Sequence, residues 1–120
     1  MATILVVDDA KFMRVTLKNI LKEHQHEIIG EAENGKEAIT LYNELHPDLV
    51  IMDLTMPEMN GIDAMTEIMK IDKEAKIIVC SAIGQQKVVV QAIEAGGKDF
   101  IVKPFEESRI LHTVDRVLQK

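Results

Sequence analysis

Cysteine is nearly absent: Cys80 stands alone, so no internal disulfide can brace the chain. Its place inside an apolar run marks a buried, unreactive thiol of a reducing compartment. Long hydrophobic runs are missing too. The longest, such as Ile4–Val7 and Ile77–Cys80, fall far below the roughly 20 residues a spanning helix needs. No secretion signal is expected, because Asp8 and Asp9 interrupt the first apolar stretch at once. Basic charge is scarce: 14 Lys and Arg stand against 20 Asp and Glu, a net charge of -6. A binder of nucleic acid or of an anionic membrane needs a basic face, which this balance argues against. Linkers, low-complexity stretches and repeats are also lacking, which leaves a single domain across residues 1–120. A cytoplasmic monomer is the expectation. What remains is 47% hydrophobic and 28% charged, an ordinary globular composition.

Five short apolar runs recur every 22 to 27 residues: Thr3–Val7, Glu27–Ala32, Leu49–Asp53, Lys76–Ser81 and Asp99–Val102. Four are rich in Ile and Val with little alternation, as in parallel strands covered on both faces. The second is more polar and suits an edge. Between them the period turns helical. The stripes are Met13, Leu17, Ile20 and Leu21; Ala38, Leu41, Tyr42 and Leu45; Ile62, Met65, Ile68 and Met69; and Ile110 or Leu111 with Val114, Val117 and Leu118. Asn34 with Glu37, and Asn60 with Asp63, carry helix-start chemistry; His46-Pro47 and Gly96-Gly97 close two helices. The alternation is (βα)5, an α/β fold. Right-handed crossovers make it a doubly wound open parallel sheet, flavodoxin-like. Its expected strand order, 2-1-3-4-5, is borrowed from known sheets of that class.

Ligands of such sheets bind beyond the carboxyl ends of the strands, at the switch point beside the first and third. The first strand ends in Asp8-Asp9, the third in Asp53, the fourth in Ser81, and the fifth runs into Lys103-Pro104. Three carboxylates drawn together repel by about 4 kcal/mol per pair at 4 Å and an effective dielectric near 20. A divalent cation relieves this, and hard oxygen ligands that leave room for water suit Mg²⁺. Capping of the following helix accounts for one of Asp8 and Asp9, but not for Asp53 or Lys103. Phosphoryl transfer needs an in-line nucleophile and positive charge on the equatorial oxygens. Asp53 is the candidate nucleophile, able to form an acyl phosphate. Mg²⁺ and Lys103 would neutralise the transferred group, and the Ser81 hydroxyl would donate to it.

The stretches Val6-Val7-Asp8-Asp9, Met52-Asp53-Leu54-Thr55-Met56-Pro57, Asn60-Gly61, Cys80-Ser81-Ala82 and Lys103-Pro104-Phe105 resemble the receiver domain of two-component response regulators. The likeness runs from Thr3 to Leu118, with all five motifs in order. The wording around Asp8–Arg14, Met56–Asp63 and Cys80–Gln86 is similar to the free-standing chemotaxis regulators of Gram-positive and Thermotoga-like bacteria. The resemblance implies that Asp53 is the phosphoacceptor, loaded from a histidine kinase. It implies Mg²⁺ on Asp9, Asp53 and the Thr55 backbone carbonyl, with Asp8 acting mainly through water. Ser81 and Phe100 become a coupled switch pair, Lys103 bridges to the phosphate, and the Lys103-Pro104 peptide is cis. The chain departs from the tyrosine often found at position 100. A core residue of the fifth strand is the plainer expectation for Phe100. The implied partners are the kinase, a flagellar motor switch protein and a phosphatase, with no enzymatic activity beyond the chain's own phosphorylation and dephosphorylation.

Since the chain ends with its fifth helix, the signal is expected to leave through a surface, by the family's habit the fourth helix, fifth strand and fifth helix. Val88-Val89-Val90 cannot all be buried by one helical stripe; Val89 and Ile93 are expected on the sheet, leaving Val88 or Val90 partly exposed. Thr55 and Ile83, each two residues past Asp53 and Ser81, would flank the water path to a phosphoaspartate and tune its loss. The methionines fall mostly on helix stripes as gap-filling core, and the four histidines lack metal-ligand grouping. A phosphatase of the haloacid dehalogenase type needs a second Asp two residues after the nucleophile, where this chain has Thr55. A flavin carrier on this fold needs a loop that cradles phosphate, which Asp8-Asp9 would repel. An inactive scaffold is unsupported, since every acidic position is filled. The remaining alternative is a sporulation-type phosphorelay intermediate that hands its phosphate to a histidine phosphotransferase.

Overall fold

The computed structural model describes residues 1–56 and 59–119, so the Pro57-Glu58 part of one motif lies outside the described residues. In chain order the elements are β1 Thr3–Val7, α1 Lys11–Glu23, β2 Glu27–Ala32, α2 Gly35–Leu45, β3 Leu49–Asp53, α3 Gly61–Ile71, β4 Ile77–Ala82, α4 Gln86–Glu94, β5 Asp99–Lys103 and α5 Glu107–Leu118. All four strand pairings are parallel and the sheet order is β2-β1-β3-β4-β5. Strand alternation divides the core between two faces. Leu5, Val7, Val50, Met52, Ile77 and Val79 point to the side of α2, α3 and α4. Ile4, Val6, Leu49, Ile51, Ile78 and Cys80 point to the side of α1 and α5. Burial on both sides is why β1, β3 and β4 show so little polar alternation. Polar β2 is an edge, as expected, and so is β5.

The helix ends follow the local chemistry. The Asn34 side chain accepts from the Glu37 N–H at 2.9 Å, and Glu37 returns the bond to the Glu33 N–H at 2.7 Å. Asn60 accepts from the Asp63 N–H at 3.0 Å, with Asp63 in the first turn. His46 ends α2 in the left-handed region at φ 47, just before Pro47. Two expectations fail. Neither Asp8 nor Asp9 caps α1: the N-cap is Ala10, without a side-chain bond, because Asp8 turns its Oδ1 onto the Ala10 N–H instead. On α4 the sheet-facing positions are Val88, Val89, Ala92 and Ala95, so Ile93 stays 39% exposed and Val90 56%. The cause is phase: Ala92 and Ala95 are small enough to bring the helix down on their own stripe. No described helix is long and apolar enough to cross a membrane.

Candidate functional site

Three strand ends deliver the site. β1 stops at Val7 and the chain runs straight into Asp8 and Asp9; β3 ends in Asp53 beside it, since Val7 pairs with Met52. Oxygens of Asp8, Asp9 and Asp53 lie within 4.8 Å of one another. Asp8 and Asp53 are 1% and 3% exposed, whereas Asp9 opens to solvent. Lys103, from the end of β5, reaches across β4 to them. Its Nζ is 3.0 Å from Asp8 Oδ2 and 3.4 Å from Asp53 Oδ1. Two backbone amides complete the fixation: Ala10 N–H donates to Asp8 Oδ1 at 2.9 Å and Thr55 N–H to Asp53 Oδ1 at 3.2 Å. The Lys103-Pro104 peptide is cis. Ser81 is buried on β4, its neighbour on β5 being Val102.

Burial, seconded by the Asp8 carboxylate, pushes the Asp53 carboxyl from 3.8 up to about 6, against Lys103 and the Thr55 N–H. For Lys103, burial pulls the ammonium down, but the Asp8 hydrogen bond and the two carboxylate charges outweigh it, and the net shift is upward. The cluster thus holds three acids against one cation near neutral pH. A divalent cation would bring that sum to zero, and the donors are all hard oxygens, so the residues fit such an ion.

The raised Asp53 value has a thermodynamic consequence. The folded protein holds this proton more tightly than the unfolded chain, so ionising Asp53 costs stability. The penalty is absent below about 3.8 and fully present above about 6, where it reaches about 3 kcal/mol. In metal-free buffer at pH 8, Asp53→Asn is expected to melt above wild type, with the gap closing as the pH falls from 6 to 4. Urea melts of both proteins across that range check it; a gap that ignores pH would remove Asp53 as the strained group.

Phe100 is not a core residue. It stands 44% exposed on β5, while Ile101 next to it turns inward and is buried. β5 is an edge strand, with no further strand beyond it to shield the ring. Beside Phe100 lies a cleft of about 310 Å³ whose walls include Ser81, Ile83, Val89, Val90 and Phe100. Ile83 and Thr55 are both exposed at the rim of the site. Cys80 is buried directly after Val79, and burial drives its thiol pKa well up, so no thiolate forms at neutral pH.

Sequence reasoning missed Arg14. Its side chain is 8% exposed, donating to the Asp8 backbone carbonyl at 2.7 Å and to Glu31 at 3.0 Å. The signal was available: Arg14 lies on the stripe of Leu17 and Leu21, where a charge is out of place.

The family profile for the response regulator receiver domain matches residues 4–115. The chain is 61% identical over 114 residues to the chemotaxis protein CheY of Thermotoga maritima, covering 95% of each. With the Bacillus subtilis chemotaxis protein CheY it shares 56% over 115 residues, 96% of each. A crystal structure of the CheX–CheY–BeF3–Mg²⁺ complex from Borrelia burgdorferi superposes with a TM-score of 0.94 at 37% identity, covering 98% of this chain and 90% of that one.

Proposed function

Because the chain belongs to the response regulator receiver domain family, we propose that it is a chemotaxis switch worked by a phosphoryl group on Asp53. The observation that carries this is the strand-end cluster: three carboxylates within 4.8 Å, two of them held by Lys103. In the proposed step an Asp53 oxygen attacks the phosphorus of a kinase phosphohistidine. The new O–P bond makes an acyl phosphate, and the breaking N–P bond returns its electron pair to the imidazole. At pH 7 an Asp53 carboxyl of about 6 is mostly ionised, so the nucleophile is ready. Asp9, Asp53 and the Thr55 carbonyl would hold Mg²⁺, with Asp8 acting through water; the ion supplies charge neutralisation to the incoming phosphoryl oxygens. Lys103 sits on Asp53 Oδ1 and would follow that oxygen's negative charge onto the phosphoryl group. Ser81 would donate its hydroxyl to a second phosphoryl oxygen. A further Asp at position 55, needed for turnover as a phosphatase, is replaced by Thr55.

The output follows from the cleft between β4, α4 and β5. Ser81 and the exposed Phe100 line the same cleft. Drawing the Ser81 hydroxyl towards a phosphoryl group would empty space at one end of it, and the Phe100 ring would turn into that space. Phe100 lacks a hydroxyl, so the turn breaks no side-chain hydrogen bond and gains apolar burial. The apolar surface at Val90 and Phe100 would then change shape for a flagellar motor switch protein. Loading with beryllofluoride and Mg²⁺ tests this against purified partners. Capture of the motor switch protein only in the loaded state supports it. Equal capture of a histidine phosphotransferase in both states overturns the motor role and points to a phosphorelay.

Thr55 and Ile83 would set the lifetime of the phosphoryl group by limiting water access. Ile83→Ala is expected to shorten that lifetime about threefold, since residual exclusion by Thr55 persists. Timing the loss of label from loaded protein checks it, and an unchanged rate sinks the role of Ile83.

A further inference from the structure

The three acids are not held equally. Asp8 is fixed by Lys103 and the Ala10 N–H, and Asp53 by Lys103 and the Thr55 N–H. No side chain or amide among the described residues holds the Asp9 carboxylate, so its position depends on the backbone that carries it. That backbone lies past the β1–β3 ladder, which stops at Val7 and Met52. The Asp8 N–H is tied to the Ala32 carbonyl at 3.0 Å, but the Asp8 carbonyl has run out of strand partners. Arg14 Nη1 supplies the missing bond at 2.7 Å. A peptide unit is planar, so gripping the Asp8 oxygen also sets the Asp9 nitrogen and the direction in which Asp9 leaves the strand.

The grip is itself braced. Arg14 Nε donates to Glu31 at 3.0 Å, Nη2 faces Glu33 at 3.5 Å, and Lys18 holds the other Glu31 oxygen at 2.7 Å. A planar guanidinium spreads five donors along a rigid fork that spans a carbonyl and two carboxylates set apart; an ammonium offers its three donors from a single point. We propose that Arg14 is a positioning residue for the divalent cation, aiming Asp9 through the Asp8–Asp9 peptide without touching the ion. The inference rests on the carboxylate trio being a cation site.

The sign of the effect separates this role from its rivals. Losing a positive charge near the site should tighten cation binding by electrostatics alone, and a residue that only supports the fold should leave affinity unchanged. A positioning residue should weaken it. Free Mn²⁺ counted by electron paramagnetic resonance gives the dissociation constant without any phosphoryl chemistry. Arg14→Met is expected to raise that constant about tenfold, as when an outer partner of a metal ligand is lost. Arg14→Lys keeps the charge and is expected to raise it as well, which covers the case in which the Met variant folds poorly. Circular dichroism at the titration temperature shows that both are folded. Binding in Arg14→Lys as tight as wild type or tighter overturns the proposal. Wild-type protein that takes up no Mn²⁺ overturns the cation site itself, and this role with it.

Discussion

Asp53→Asn is expected to lose phosphoryl capture entirely, by more than about a thousandfold, the scale seen when an enzyme's nucleophile is removed. The asparagine keeps the shape of the side chain but offers no anionic oxygen to attack phosphorus. Its amide cannot form the acyl phosphate. The loss is separable from misfolding because the same substitution relieves a strained charge: the buried carboxyl at about 6 is the group whose ionisation costs stability. The variant should therefore be more stable at pH 8 and yet silent. Incubation with acetyl phosphate and Mg²⁺, followed by intact mass, checks it. An addition of one phosphoryl mass to the variant at the wild-type rate would move the acceptor to another acid. Asp8 and Asp9, within 4.8 Å, would be the next to examine.

Gly61→Ala should cause the largest loss of stability among single methyl additions. A β-carbon at Gly61 would stand 2.3 Å from the Asp53 carbonyl oxygen and 2.7 Å from Leu54 Cα. Both are backbone atoms, so no side chain can swing aside. The close approach arises because α3 starts against the end of β3, with Gly61 N–H bonded to the Leu54 carbonyl at 3.1 Å. An alanine must push the helix start and the Asp53 segment apart, at about 2–4 kcal/mol. The displaced segment carries Asp53, the proposed phosphoacceptor, so the folded fraction should also load more slowly. Gly84→Ala is the control: nothing lies within 4 Å of its added carbon, though φ of +90 still imposes some strain. Thermal melts decide the matter. A Gly61→Ala midpoint within a degree or two of wild type would mean that α3 can back away freely, and that this contact does not hold the site.

Why these two positions differ in legibility is physical. Asp53 could be found from the chain alone, because a strand whose apolar run stops at an acid places that acid at the sheet's carboxyl edge. Gly61 stood in plain view after a capping asparagine. Its reason for being glycine is a contact with the backbone of another element, and no local pattern carries that. The (βα)5 alternation was legible because burial on both faces removes polar alternation from β1, β3 and β4, while the helices keep a 3.6-residue stripe. The amphipathic stripe failed on α4, where Ala92 and Ala95 rather than Ile93 meet the core. Small residues won there because the approach distance of the helix, not hydrophobicity, selects which side chains fit.

By itself the sequence determined the strand and helix count, the edge position of β2, the caps at Asn34 and Asn60, and the gathering of Asp8, Asp9, Asp53 and Lys103 at one rim. Each follows from period, cap chemistry or strand ends, which are short-range. Only the tertiary structure decided which acids are buried, that Lys103 bridges Asp8 and Asp53, that Arg14 grips the Asp8 carbonyl, and that Phe100 faces solvent. Those depend on residues far apart in the chain arriving at ångström distances, and on which surfaces a neighbouring helix covers. Charges that a linear pattern can only list acquire strength, and a shifted Asp53, once packing has removed the water between them.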